Sequence, residues 1–157
     1  MLTKIISGGQ TGIDRMALEV ARELGFPTGG SAPRDFMTEL GPDPSLQDFG
    51  LVALPQKEYP VRTRKNVVDS DGTVIYGDLT GGTGLTEEFC VEEGRPYLVN
   101  PEPAGLVAFI RERGIRLLNV AGNRGSKLTA KRLADYRGQF RMALLLLAAE
   151  GMTKPVY

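Results

Sequence analysis

The chain contains no histidine at all and a single cysteine, Cys90. Without imidazole there is no Ser-His-Asp or Cys-His catalysis and no His-ligated zinc site. One cysteine excludes an internal disulfide and fits a reducing compartment. Charge imbalance is also missing. The chain carries 19 basic and 19 acidic residues, for a net charge of zero, which argues against the electrostatic footprint of a nucleic-acid binder. No apolar stretch approaches the ~20 residues of a membrane span. Met1-Leu2-Thr3-Lys4 leads straight into a strand pattern, with no signal-peptide signature. These absences predict a cytoplasmic protein whose partners include neither nucleic acid nor membrane.

Turn formers are abundant, with 20 glycines and 10 prolines in 157 residues. That length predicts one domain, residues 1–157, able to bury roughly two-thirds of its unfolded surface. Apolar runs alternate with helical patterns. TKIISG at 3–8 reads as a strand, and 11–24 as a helix with apolar positions Met16, Leu18, Val20, Ala21 and Leu24, stopped by Gly25. A second strand is predicted at 27–32, weakened by Gly29-Gly30. Residues 33–60 hold five prolines and no clear period, which predicts a long irregular segment of the kind that is often functional. Then come a helix at 61–70, a strand at 73–77, a glycine-rich turn at 80–84, a helix at 85–94 and a strand at 96–100. A helix at 103–114, a strand at 115–122 and a helix at 127–150 complete the pattern. Strands near-continuously apolar and separated by helices imply a mainly parallel sheet of about five strands covered on both faces: a Rossmann-like three-layer α/β/α sandwich.

In such sheets ligands sit beyond the carboxyl ends of the strands. Three unusual loops follow strands here. They are SGGQTGID (7–14), DLTGGTGLTEE (78–88) and VAGNRGSK (120–127). The first is not a Walker A loop, because no lysine follows Gly12. It also lacks the first glycine of GxGxxG and the acidic residue that would hold a ribose. It fits either a tight strand-to-helix turn or an anion cradle in which Gly8, Gly9, Gln10, Thr11 and Gly12 present donors at a helix N-terminus. Asp14 either complements the helix dipole or faces the ligand. In the second loop Gly81, Gly82 and Gly84 allow close backbone approach, and Thr80, Thr83 and Thr86 offer hydroxyls. Glu87 and Glu88 fall in the first turn of the predicted helix. They either compensate its dipole or face a ligand sugar. The third loop adds Gly122, Arg124, Ser126 and Lys127, either as an ordinary solvated loop or as phosphate ligands. On the helix 61–70, Arg62, Asn66 and Asp69 share one face and Arg64 points elsewhere. Cys90 reads as small core packing. The apolar run Met142 to Ala149 goes around its helix, which predicts a core or subunit contact and hence a homo-oligomer.

GGQTGID (8–14), Arg62-Thr63 to Asn66 with DSDGTVI (69–75), LTGGTGLT (79–86) and LNVAGNRGS (118–126) together resemble the molybdenum carrier family. It is a group within a nucleotide-binding Rossmann superfamily that also holds the cytokinin-activating phosphoribohydrolases, often called lysine decarboxylase-like. The resemblance runs in order over nearly the whole chain. It implies a carrier of molybdenum cofactor, a pterin bearing a phosphate, or of a nucleotide, held by Gly8, Gly9, Gln10, Thr11, Gly12, Asp14, Arg62, Asn66, Gly81, Gly82, Thr83, Gly84, Thr86, Gly122, Arg124 and Ser126. Where the family commonly has Trp-Cys-Pro, this chain has Ser31-Ala32-Pro33, so no stacking or thiol role exists there. The phosphoribohydrolase relatives imply a second reading, an enzyme that cleaves the N-glycosidic bond of a nucleoside monophosphate. In it Glu88 matches the glutamate of GGxGTxxE, with Leu85 where that motif has threonine, and an arginine binds phosphate. Arg64 matches the Arg-Lys dipeptide. Spacing from Ser70-Asp71 and helix phase favour Arg62.

Overall fold

The computed structural model describes residues 1–152, with side chains through residue 150. Its strands are β1 (Lys4–Ile6), β2 (Thr28–Ala32), β3 (Met37–Thr38), β4 (Gly41–Pro42), β5 (Leu51–Ala53), β6 (Gly72–Tyr76), β7 (Tyr97–Val99) and β8 (Leu117–Gly122). Its helices are α1 (Ile13–Glu23), α2 (Tyr59–Asp69), α3 (Gly81–Glu92), α4 (Pro103–Glu112) and α5 (Ala130–Met152). Six strands form one sheet in the order β5-β2-β1-β8-β6-β7, with every pairing parallel. β3 and β4 make a separate antiparallel hairpin.

The largest apolar cluster joins strand residues Ile5, Val74, Tyr76, Leu118 and Val120 to α1, α4 and α5. Met16, Val20 and Ala21 of α1 are buried as their spacing predicts, and Leu24 packs at the edge. Tyr76 stacks edge-on to Phe140 of α5 at 6.2 Å between ring centres. On the other face α2 and α3 meet around Val67, Phe89 and Cys90, so the cysteine is a core residue. A third cluster places Leu46, Phe49 and Leu51 against Leu18 and Ala32. Helices on both faces give the three layers predicted from the alternation.

Three differences from the sequence reading have physical causes. The segment 33–60 is not simply irregular. It contains the β3–β4 hairpin, 3₁₀ turns at Arg34–Phe36 and Pro44–Phe49, and the sixth parallel strand, β5. A three-residue strand is too short to show a period, and β5 exists because it pairs with β2. The second glycine-rich stretch is not a turn before a helix. α3 begins at Gly81, entered with φ 54° after an extended Thr80, so the glycines are its first turn. α5 starts at Ala130 and not at 127, because Gly125–Lys127 is a 3₁₀ turn and the Thr129 hydroxyl accepts from the Arg132 N–H at 3.1 Å.

The order places β1, β8 and β6 side by side at the centre. The chain runs outward from β1 to β2 and β5, crosses to β6 and β7, and returns to β8. The reversal therefore lies at these central strands, and the loops after them share one end of the sheet.

Candidate functional site

Those loops enclose a crevice of about 280 Å³. Gln10 and Asp14 line it from the β1 side, Ala121, Gly122, Arg124 and Lys127 from the β8 side. Thr80 to Thr83 and Thr86 line it from α3, and Tyr59, Arg62 and Thr63 from α2.

The loop after β1 does not form an open anion cradle. The N–H groups of Gly8, Gly9, Gln10 and Thr11 have acceptors within the protein. Gln10 N–H donates to Asp14 Oδ2 at 3.2 Å, Gly8 N–H donates to the same carboxylate, and Thr11 N–H donates to Gln10 Oε1 at 3.0 Å. Ile13 N–H donates to the Asn123 carbonyl at 3.2 Å. The loop is instead a folded support. Gly12, at φ 81°, brings it against the loop after β8, where a Cβ would stand 2.5 Å from the Asn123 carbonyl oxygen. Gly9 packs on Leu46 and Leu51, away from the crevice.

Asp14 and Arg62 form the inner wall. Arg62 Nη1 lies 3.3 Å from Asp14 Oδ2, with the two side chains only 11% and 5% exposed. Burial raises the Asp14 pKa to about 6. Arg62 and the Gln10 and Gly8 N–H groups pull it back without cancelling the burial. Arg62 lies directly over Gly8, since a Cβ there would stand 2.0 Å from Nη1. Its Nε is buried and has no hydrogen-bond partner among the described residues. A buried, unpaired guanidinium N–H is costly unless something supplies an acceptor.

Helix phase separates the α2 candidates. Arg62 lines the crevice. Arg64 turns to α3, meeting Glu93 at 2.5 Å and Glu92 at 2.8 Å and stacking on Phe89. Asn66 shares the inward face but belongs to the scaffold. It accepts from Ser31 N–H at 2.8 Å and donates to the Ser31 carbonyl at 3.0 Å, clamping β2. Asp69 pairs with Lys65 on the surface.

The outer wall is the start of α3. Thr80 makes no side-chain cap, so the first N–H groups of the helix, which have no intrahelical acceptor, are not capped by it. The Lys127 ammonium stands 3.2 Å from where a Cβ on Gly81 would be. A cation beside the positive end of a helix is unfavourable unless an anion joins them. Lys127 makes no ion pair among the described residues. Thr83 faces inward and accepts from Asn123 Nδ2 at 3.0 Å. Thr86 lines the crevice and bonds back to the Gly82 carbonyl. Gly84 packs near the Leu79 carbonyl instead. Glu88 lies outside the crevice and is exposed. It sits beyond the first turn of α3 because the helix starts four residues earlier than its sequence predicts.

Two residues that sequence reasoning missed hold the loops together. Asn123 accepts from Asp78 N–H at 2.8 Å and donates to the Asp78 carbonyl and to Thr83. Its position between Gly122 and Arg124 was a usable signal. Glu39, from the β3–β4 hairpin, accepts from Thr11 and Ser126 and pairs with Arg124. Nothing in its local sequence marks it. Among the described residues no group of three or more His, Cys, Asp or Glu is arranged to hold a metal ion. No helix among them is long and apolar enough to cross a membrane.

Residues 5–136 match the family model described as the circularly permutated YpsA SLOG family. No curated protein matches the chain. A crystal structure named "Putative molybdenum carrier protein", from Syntrophus aciditrophicus SB, is similar at 36% identity and a TM-score of 0.80, over 92% of this chain and 95% of that one. With a Rossmann-like sheet, a crevice at its central strand ends and a family match spanning most of its length, the chain belongs to the circularly permutated YpsA SLOG family.

Proposed function

We propose that this protein binds and carries a phosphate-bearing small molecule in the crevice between α2, α3 and the loop after β8. The observation that carries this reading is the meeting of Arg62, Arg124 and Lys127 in one crevice at the start of α3. Lys127 beside the uncapped start of α3 supports it from the opposite wall. Phosphate oxygens suit these cations, and the Tyr59 ring lines the same crevice with the Arg62 guanidinium over it at 5.4 Å. The similar structure's name points to a molybdenum-related ligand, and molybdenum cofactor is one that bears a phosphate. The residues present fit such a ligand through its phosphate. They offer no metal-ligating set, with no histidine in the chain and Cys90 buried in another cluster. A nucleotide fits the same donors. The protein acts in the cytoplasm on this reading, in keeping with its lone buried thiol. It also acts as a homo-oligomer, since Met142, Leu145 and Leu146 of α5 are 49%, 40% and 42% exposed.

A phosphoribohydrolase activity would require Glu88 in the crevice, where it does not lie. The test is mass spectrometry of the ligand that copurifies with the folded protein, joined to chromatography for free base released from nucleoside monophosphates. A phosphorylated compound should copurify with the wild type and be lost from Arg62→Ala, which removes a charge-assisted contact of roughly 1.5–3 kcal/mol. No base should be released. Hydrolysis by the wild type that disappears in Glu88→Gln would replace the carrier reading with the enzymatic one.

A further inference from the structure

Glu39 stands at the tip of the β3–β4 hairpin, and its carboxylate is held entirely by groups from two other loops. Oε1 accepts from the Thr11 hydroxyl at 2.5 Å and from Ser126 N–H at 3.0 Å. Oε2 accepts from the Ser126 hydroxyl at 2.5 Å and lies 3.3 Å from Arg124 Nε. Burial acts to raise the pKa of this carboxyl, but the Ser126 and Thr11 hydrogen bonds and Arg124 outweigh it and hold it below the ordinary value. Thr11, Ser126 and Arg124 thus form a complete anion site, and the protein fills it with its own carboxylate.

The hairpin that delivers this carboxylate is anchored at its base, where Phe36 packs on the Leu46 cluster and Thr38 is buried, and at its tip by the contacts of Glu39. It has two residues per strand and stays outside the main sheet, and isolated hairpins have little stability of their own. Its tip residue Leu40 is 85% exposed. At its base Asp35 and Phe36 take φ of 61° and 56°, a left-handed conformation that side-chain-bearing residues adopt at a cost. The strained base and the polar latch at the tip are separate observations, and the latch is what ties the hairpin tip to the loops after β1 and β8. The latch also reaches the crevice. Gln10, which accepts from Glu39 N–H at 2.9 Å, lines it, and so does Arg124. Arg124 and Lys127 stand at the two ends of one turn, joined by the Lys127 N–H to Arg124 carbonyl bond at 2.9 Å. The Glu39 site is therefore the neighbour of the site at the start of α3.

We propose that Thr11, Ser126 and Arg124 are a second anion subsite, and that a ligand with two linked phosphates occupies it by displacing Glu39 and lifting the hairpin. This rests on the phosphate-binding reading of the crevice. Orthophosphate fills the first subsite alone, whereas pyrophosphate spans both and must compete with Glu39.

The test compares wild type and Glu39→Gln, which keeps the side-chain shape and removes the competing charge. Calorimetric titration with orthophosphate and with pyrophosphate is paired with hydrogen exchange of the peptide 35–42. Glu39→Gln should tighten pyrophosphate by about tenfold, equivalent to about 1.4 kcal/mol, and change orthophosphate by less than about twofold. Pyrophosphate should speed exchange of the hairpin in the wild type. Equal or weaker pyrophosphate binding by the variant, or hairpin exchange slowed by pyrophosphate, overturns the second subsite. If Glu39→Gln does not fold, the wild-type exchange experiment decides alone. Failure of both anions to bind either protein refutes the phosphate reading itself. Orthophosphate binding with no gain for pyrophosphate refutes only the subsite.

Discussion

Asp14 is a buried carboxyl beside a buried guanidinium, and burial wins, raising its pKa from 3.8 to about 6. Between about pH 4 and pH 6 the folded protein therefore keeps a proton that the unfolded chain has released. Stability contributed by this group falls as pH rises through that window. A rise of that size corresponds to roughly 3 kcal/mol. Asp14→Asn removes the titration, so the stability of the variant relative to wild type should improve by about that amount from pH 4 to pH 7. Urea unfolding of both proteins across this range measures it, and a difference that does not vary with pH would show Asp14 ionised throughout. Taking the difference also cancels the opposite slope from Glu39, whose pKa is lowered. The same residue scale explains why Arg62 and Gly8 act as one unit: a methyl at position 8 would occupy the space of the guanidinium.

At the scale of the element, two of the three glycines of α3 have different reasons to be there. Gly81 has φ 54°, and Gly82 has open space around it, with no heavy atom within 4 Å of where a methyl would stand. Gly81→Ala should destabilise the protein through backbone strain, by about 1–2 kcal/mol. Gly82→Ala should stabilise it by about 0.5–1 kcal/mol, since alanine loses less entropy in a helix. That gain should raise Tm by roughly 1–4 °C in a protein of this size. Yet Gly82 lines the crevice, so its methyl should weaken orthophosphate binding. Thermal melts and calorimetry on the two variants check both signs. A rise in Tm with unchanged phosphate affinity would move the anion away from the start of α3. The helix also shows how one register decides function. Starting at Gly81 turns Thr83 and Thr86 inward and leaves Glu88 in solvent.

For the whole molecule, α5 is the element that covers α1 and α4, burying Phe140, Ala143 and Leu144. Three other apolar residues of α5, Met142, Leu145 and Leu146, form an exposed stripe at helical spacing. Light scattering at micromolar concentration should give a dimer or larger species, and Leu145→Glu with Leu146→Glu should reduce it to a monomer that keeps its phosphate affinity. A wild-type monomer would assign the stripe to ordinary surface.

Periodicity and punctuation were enough to read the layers of this protein. Five of the six parallel strands and all five helices are visible in the chain, because short apolar runs alternate with helical patterns and Gly25, Gly94 and Gly114 follow three of the helices. The three glycine-bearing loops could be located for the same reason, since a strand-helix alternation sends successive loops to one end of a parallel sheet. What the chain could not reveal are properties of pairing and packing across distance. β5 is a strand only because β2 lies beside it. The N–H groups of the loop after β1 appear free in sequence and are taken by Asp14, Gln10 and Asn123 in space. Asn66 looks like a ligand residue and clamps a strand 35 positions away. Glu39 carries no local mark, yet it meets Thr11 and Ser126, 28 and 87 positions distant. Local sequence sets dihedral preference and hydrophobic period. Which donors remain unpaired depends on contacts between remote segments, and only the folded chain brings those together.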